Sequence, residues 1–191
     1  MTNLERFNDI YSCIKRKGAD ALYENLSCSG FFTAPASAKY HGAYPGGLLE
    51  HSLHVYDRLM AMPESKEYSE ETIAIVSLLH DICKVKSYKQ EKKKQKQPDG
   101  TWKEVDVYGY TNDFPIGHGE KSVIMIMRYM HLSDEEIIAI RWHMGGFDHA
   151  VKGGCYDMNN AYAACKLAAM LHIADMQATY LDEREESNDD K

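Results

Sequence analysis

No stretch of this chain approaches the roughly 20 consecutive apolar residues that a membrane-crossing helix requires. The first residues, MTNLERFNDIYSCIKRK, are amphipathic and carry acids. They lack the apolar segment and cleavage site of a secretory signal, so a cytoplasmic protein with no membrane partner is expected. No Cys-x-x-Cys pair occurs among Cys13, Cys28, Cys83, Cys155 and Cys165, and their number is odd. Both facts argue against a disulfide framework and a thiolate zinc site; reduced, mostly buried thiols are expected. Positive charge is not in excess either. The net charge is −7, which disfavours broad binding to polyanions. Internal repeats, low-complexity linkers and a clear domain boundary are also missing.

What remains is 191 residues, 44% of them hydrophobic, which suits one compact domain. Leu4, Phe7, Ile10, Tyr11 and Ile14 recur at helical spacing and predict a helix over 3–17, followed by a short one over 19–26. Residues 31–47 hold Pro35, Gly42, Pro45, Gly46 and Gly47 and read as a packed loop. A helix is expected over 48–60. Ser69-Glu70-Glu71-Thr72 makes an acidic helix start, and 72–82 is apolar on most sides, as a core helix is. Residues 85–97 and 101–110 flank Pro98-Asp99-Gly100 and predict a β-hairpin. Its lysines, Lys92, Lys93, Lys94 and Lys96, read either as a solvated edge that discourages aggregation or as a phosphate-steering patch. Helices are expected over 121–130 and from Ser133, whose partner Glu136 completes a capping box, to about His143. A last long helix begins near Asn159 and ends towards Leu181. The acidic tail, 182–191, is expected to fray.

Nine histidines are present. His51, His80-Asp81, His118 and His143, with Asp175, each fall at or beside the end of an apolar helical segment. Imidazole with carboxylate is a donor set for hard or borderline divalent cations, and a helix bundle can gather such positions into one pocket. For each residue alone, a core histidine satisfied by a carbonyl or a surface acid is the competing explanation.

Their order and spacing resemble the HD-domain superfamily of metal-dependent phosphohydrolases. That signature is a histidine, then His-Asp, then a late aspartate, all on helices. Here they are His51 in Gly46-Gly47-Leu48-Leu49-Glu50-His51, His80-Asp81 in Leu79-His80-Asp81-Ile82, and Asp175 in Leu171-His172-Ile173-Ala174-Asp175. The likeness covers about residues 40–180 and is greatest to the bacterial subgroup that includes 3′–5′ exoribonucleases. Gly117-His118 and His143-Met144-Gly145 fit two further elements of that subgroup. The chain departs from it in lacking an N-terminal OB-fold, in carrying Trp142-His143 where relatives have adjacent histidines, and in its hairpin.

The resemblance implies an all-α HD-domain bundle with an inserted hairpin at about 85–110, and a single HD domain over 1–191, with N-terminal helices over 1–30 and a core at about 40–180. It implies a divalent ion (Mn, Fe, Co, Ni, Mg or Zn, as one or two ions) held by His51, His80, Asp81 and Asp175. His118 and His143 then either bind a second ion, with Asp81 bridging, or act on the phosphate as proton or hydrogen-bond donors. Asp81, Lys84, His118 and His143 are the expected catalytic residues, and Lys84, Lys121 and His54 the expected substrate contacts, with His54 also a candidate for support behind the ligands. Lys121 and Ser122 would cradle phosphate at a helix start. His172 would orient its neighbours, while His41, His131 and His149 are assigned structural roles, His41 on a loop that rims the pocket. The implied activity is hydrolysis of a nucleotide or short oligonucleotide by hydroxide generated on the ion. Two alternatives are a 3′–5′ exoribonuclease whose hairpin grips the strand, with RNA less favoured as a partner, and a non-catalytic nucleotide sensor.

Overall fold

The structure is a computed structural model that describes residues 1–183. Most of the expected acidic tail, 184–191, lies outside the described residues. Its first two residues do not fray, however. Asp182 pairs with Arg58, and Glu183 binds two histidines. The described residues form nine α-helices and one two-stranded hairpin, as the all-α expectation requires.

Helix α1 spans Asn3–Tyr11, with a Thr2/Glu5 capping box. It stops well short of residue 17, and Ile14 is buried beyond its end. Helix α2 covers Ala19–Ser29. Phe7 of α1 meets Phe31 and Phe32 at ring distances of 5.6 and 5.2 Å, which anchors this N-terminal layer. Helix α3, Gly47–Met60, buries Leu48, Leu49, Leu53, Val55 and Leu59. Helix α4, Glu70–Leu79, is capped by the Ser69 hydroxyl and buries every residue from Ile73 to Leu79. The core lies where α3 packs on α4 and on α9.

The expected core helix over 72–82 ends at Leu79. His80 is its C-cap, Asp81 has φ −108° and ψ 16°, and a 3₁₀ turn follows over Ile82–Lys86. The helix has run out where the polar pair arrives, so both side chains project from a turn. Strands β1, Tyr88–Lys96, and β2, Trp102–Tyr110, pair antiparallel with Tyr88 opposite Tyr110 and Lys96 opposite Trp102. The Asp99 carboxylate accepts from the Thr101 amide and hydroxyl at the turn.

Helix α5, His118–Met127, starts three residues earlier than expected, so His118 is its first residue. Helix α6, Asp134–Trp142, carries the expected Ser133/Glu136 capping box and ends with His143 as C-cap. A short α7, His149–Lys152, interrupts the expected loop. The expected last helix is two: α8, Asp157–Ala164, and α9, Lys166–Gln177. Cys165 separates them with extended backbone at φ −132° and ψ 100°. A π-helical turn, Ala178–Asp182, continues α9.

Helices α5 and α6 touch backbone to backbone where His118 and His143 sit. A methyl group at Gly119 would lie 2.2 Å from the Arg141 carbonyl oxygen. Gly119→Ala must therefore part these helices. A loss of about 1–3 kcal/mol in urea unfolding is expected; an unchanged midpoint would show that the contact is not tight.

Candidate metal centre

Three imidazoles are oriented by bonds on their outer nitrogen. His80 Nδ1 donates to the Ser77 carbonyl at 2.8 Å, and His143 Nδ1 donates to the Ile140 carbonyl at 2.7 Å. Each ring thus bonds back to the last turn of its own helix. His51 Nδ1 lies 3.1 Å from both Glu183 oxygens. A carbonyl or carboxylate can only accept, so Nδ1 carries the hydrogen in each ring. The Nε2 atoms then turn inward with free lone pairs. His51 Nε2 and His80 Nε2 face each other at 3.3 Å, and both rings are fully buried. Two lone pairs so close require a proton or a cation between them.

Two carboxylates complete the cluster. Asp81 is 2% exposed and directs its oxygens to opposite sides. Oδ2 lies 3.6 Å from His51 Nε2 and 3.5 Å from His80 Nε2. Oδ1 lies 2.6 Å from His118 Nε2 and 3.4 Å from His143 Nε2. Asp175 Oδ1, from α9, is 3.2 Å from His51 Nε2. The ligand atoms of His51, His80 and Asp81 lie within 4.8 Å of one another, as do those of Asp81, His118 and His143, and those of His80, His143 and Asp175. His143 Nε2 is buried and has no hydrogen-bond partner. An orphaned inward lone pair beside two carboxylates suits a bound cation, so the donor set fits a divalent metal.

The electrostatics follow from crowding these groups out of water. Burial pushes the His80 and His118 imidazoles below their usual range. Burial acts likewise on His51, but Asp175 and Glu183 outweigh it and raise that ring to about 9. Burial would raise the Asp81 carboxyl, yet Lys84, His80 and His118 hold it well below the usual carboxylate range. Asp175 is lowered in the same way, chiefly by His51 against its burial. Lys84, on the 3₁₀ turn, reaches Asp81 Oδ2 at 2.6 Å.

The structure therefore brings together His51, His80, Asp81, His118, His143, Asp175 and Lys84. Three other expected contacts lie elsewhere. His54 does not face the cluster; Glu183 holds its Nδ1 at 2.9 Å on the far side of His51, so it acts from behind. Lys121 is buried, and its ammonium donates to Asn112 Oδ1 at 2.6 Å. The Ser122 hydroxyl oxygen accepts from the Cys83 amide at 3.3 Å, so both polar groups of the expected phosphate cradle bond within the protein here. His172 does support its neighbours: its Nδ1 donates to the His143 carbonyl at 2.6 Å.

One participant escaped the sequence reading, and a second, expected on a loop at the pocket rim, lies closer to the cluster than its structural role implies. Glu183 bonds both His51 and His54, and these partners depress its carboxyl to about 2 against its burial. Its only signal is position, two turns past Asp175 on the same helical path. His41 was assigned a structural role, yet its ring lies 5.0 Å from that of His51, and both its nitrogens are buried without a partner. Burial, with His51 and Lys84 nearby, lowers it to about 4.

Residues 48–183 match the HD domain family. The chain belongs to that family. The matched span begins on α3 just before His51 and ends on Glu183, so it encloses every residue of the cluster except His41. A dihydroneopterin 2′,3′-cyclic phosphate phosphodiesterase of Methanocaldococcus jannaschii is 31% identical over an alignment 100 residues long that covers 44% of this chain. The chain spans 38% of the length of that relative. No solved structure matches it. Among the described residues of this HD domain, no helix is long and apolar enough to cross a membrane.

Proposed function

We propose that this HD domain is a metal-dependent phosphohydrolase acting on nucleotide-type phosphoesters. The observation that carries the reading is the split of Asp81, one oxygen turned to His51 and His80 and the other to His118 and His143. Two ligand groups that share a carboxylate are the arrangement a pair of ions needs. The relative's description as a cyclic phosphate phosphodiesterase supports the substrate class.

His51, His80, Asp81 and Asp175 would hold one ion, and His118 and His143 with Asp81 a second. Such ions, when bound, neutralise phosphoryl charge and lower the pKa of water at neutral pH. The remaining work falls to the chain. His143 is buried and its Nε2 is unpartnered, which favours a ligand role over proton donation to substrate. The His118 side chain is 27% exposed and stands at the accessible side of the cluster. Lys84 neutralises Asp81 and is the nearest ammonium for a phosphate oxygen once that carboxylate is engaged elsewhere. Glu183 and the two backbone carbonyls keep Nε2 of each ring pointed inward.

The test is a screen of the purified chain, loaded in turn with Mn²⁺, Co²⁺, Ni²⁺, Mg²⁺ and Zn²⁺, against 2′,3′-cyclic nucleotides, nucleoside monophosphates and a chromogenic phosphodiester. Metal-dependent turnover of at least one of them is expected, with up to two ions per chain by elemental analysis. Nucleotide binding without any turnover would replace this reading with the sensor.

A further inference from the structure

The hairpin is not used by the hydrolytic site, and its two faces differ. Residues directly opposite in an antiparallel pair share a face. The register therefore puts Tyr88, Tyr110, Tyr108 and Trp102 together. These are all the aromatic residues of the two strands. Lys92, Lys94 and Lys96 stand on that same face, at alternate positions and so about 7 Å apart. The other face carries Val105, Val107 and Gly109 with Lys89, Lys93 and Lys103.

A guard against edge aggregation needs charge alone and would not leave Trp102 66% and Tyr110 62% exposed. Among the described residues no ion pair holds Lys92, Lys94 or Lys96, whereas Lys93 on the other face pairs with Glu91. Between Tyr88 and Tyr110 six lysines meet four acids, in a chain whose net charge is −7. The hairpin is thus basic against an acidic body: three lysines share the aromatic face with Glu104 and Asp106, and three share the other with Glu91, so the aromatic rings rather than the charge set the first face apart.

This face also leads to the metal centre. Its base is tied to the 3₁₀ turn that carries Lys84, since the Thr111 amide donates to Ser87 and its hydroxyl to Lys86. Tyr88 is half-buried there, close enough to feel Lys84 and Asp81. Gln90 and Tyr108, one step out, line a crevice of about 280 Å³ whose other wall is Ala38, Lys39 and Ala43. The same loop carries His41, with both ring nitrogens unpartnered beside His51. Along the chain, each wall thus adjoins a residue near the cluster, Tyr88 on the hairpin side and His41 on the loop side.

Aromatic rings with interleaved ammonium groups, on a hairpin rooted beside the proposed phosphoester site, match the chemistry of a single strand: bases stack and phosphates pair. We propose that this hairpin face is a track for a single-stranded oligonucleotide, with the phosphate to be cut lying at the metal centre and the rest of the strand running out over Tyr108 and Trp102. The cutting rests on the hydrolase reading above; the binding does not.

The test is fluorescence anisotropy of labelled U12 and T12 on the intact chain in chelator, so that nothing is cut. Trp102→Ala is expected to weaken binding at least about fivefold. The triple variant Lys92→Gln, Lys94→Gln, Lys96→Gln should weaken it further and lower the slope of log affinity against log salt by about 2. The opposite-face variant Lys89→Gln, Lys93→Gln, Lys103→Gln should stay within about twofold of the parent on stacking grounds. Binding of U12 alone would assign the track to RNA, and binding of both to single strands generally. Equal losses from both faces would reduce the effect to diffuse charge and overturn the proposal. So would an absence of oligonucleotide binding, or a face variant whose only loss is binding to phosphatidylserine vesicles. Absent oligonucleotide binding with turnover of a small phosphodiester intact would sink the track alone. Face-specific binding by a chain that cuts nothing would sink the hydrolase reading alone.

Discussion

Asp81→Asn is expected to lower turnover at least about a thousandfold and to remove most bound metal, because every proposed ion depends on this one carboxylate. The amide is nearly the same size but has lost the charge and one acceptor oxygen. A second effect follows from Lys84. Its side chain is 11% exposed and its ammonium lies 2.6 Å from Asp81 Oδ2. Without the carboxylate it loses its one contacting counter-charge and is left among imidazoles with only the more distant Asp175. Removing one partner of a buried pair costs about 3–5 kcal/mol, so the variant should also melt earlier when metal-free. Adding Lys84→Met should restore much of that stability and none of the turnover. The two measurements separate a damaged fold from a damaged site. If Asp81→Asn keeps within tenfold of the parent turnover, the shared carboxylate is not central and the mechanism falls.

The second large effect concerns a residue that touches no proposed ion. Glu183 holds His51 Nδ1 at 3.1 Å and His54 Nδ1 at 2.9 Å. Glu183→Ala frees the His51 ring to turn and weakens it as a donor, and supports of this kind are worth about 10–100-fold in metal affinity. Isothermal titration with Mn²⁺ should show that loss. Glu183→Gln is expected to fall between the two, because its carbonyl oxygen still accepts from Nδ1–H but carries no charge. A control at His54 separates orientation from bulk: His54→Gln should move metal affinity far less than Glu183→Ala. Equal metal affinity in Glu183→Ala and parent would reduce Glu183 to a surface clasp for the end of α9.

The fold was legible where one residue type dictates local geometry. Ser133 and Glu136 announced their capping box, Ser69 its helix start, and Pro98-Asp99-Gly100 the hairpin turn. The ends of helices were less legible. Residues 72–82 are apolar throughout, and nothing in that pattern marks Leu79 as the last helical residue. The break at Cys165 carries no proline or glycine and arises where α8 and α9 pack against their neighbours. In the site, His51, His80, Asp81, His118, His143 and Asp175 could be read because polar ligands interrupt apolar helices. Glu183 could not, because it opens a run of acids whose composition argues for solvent. His41 was legible only as far as its loop at the pocket rim, because no periodicity there assigns the side chain a face. Lys121 was read from its place at a helix start, and nothing in the sequence marks Asn112 as its partner in the structure.

The cluster draws its donors from α3, the end of α4, the start of α5, the end of α6 and α9. During synthesis His51 leaves the ribosome roughly 120 residues ahead of Asp175, and domains fold only once such distant partners have emerged. A growing chain therefore carries loose imidazoles for most of its translation and has no finished pocket to offer. Loading of the full proposed set would be a late event, after α9 has docked, through the accessible side where His118 stands. Only an ion held by His51, His80 and Asp81 alone could bind before the rest of the chain; one that also needs Asp175 would arrive at a molecule already built.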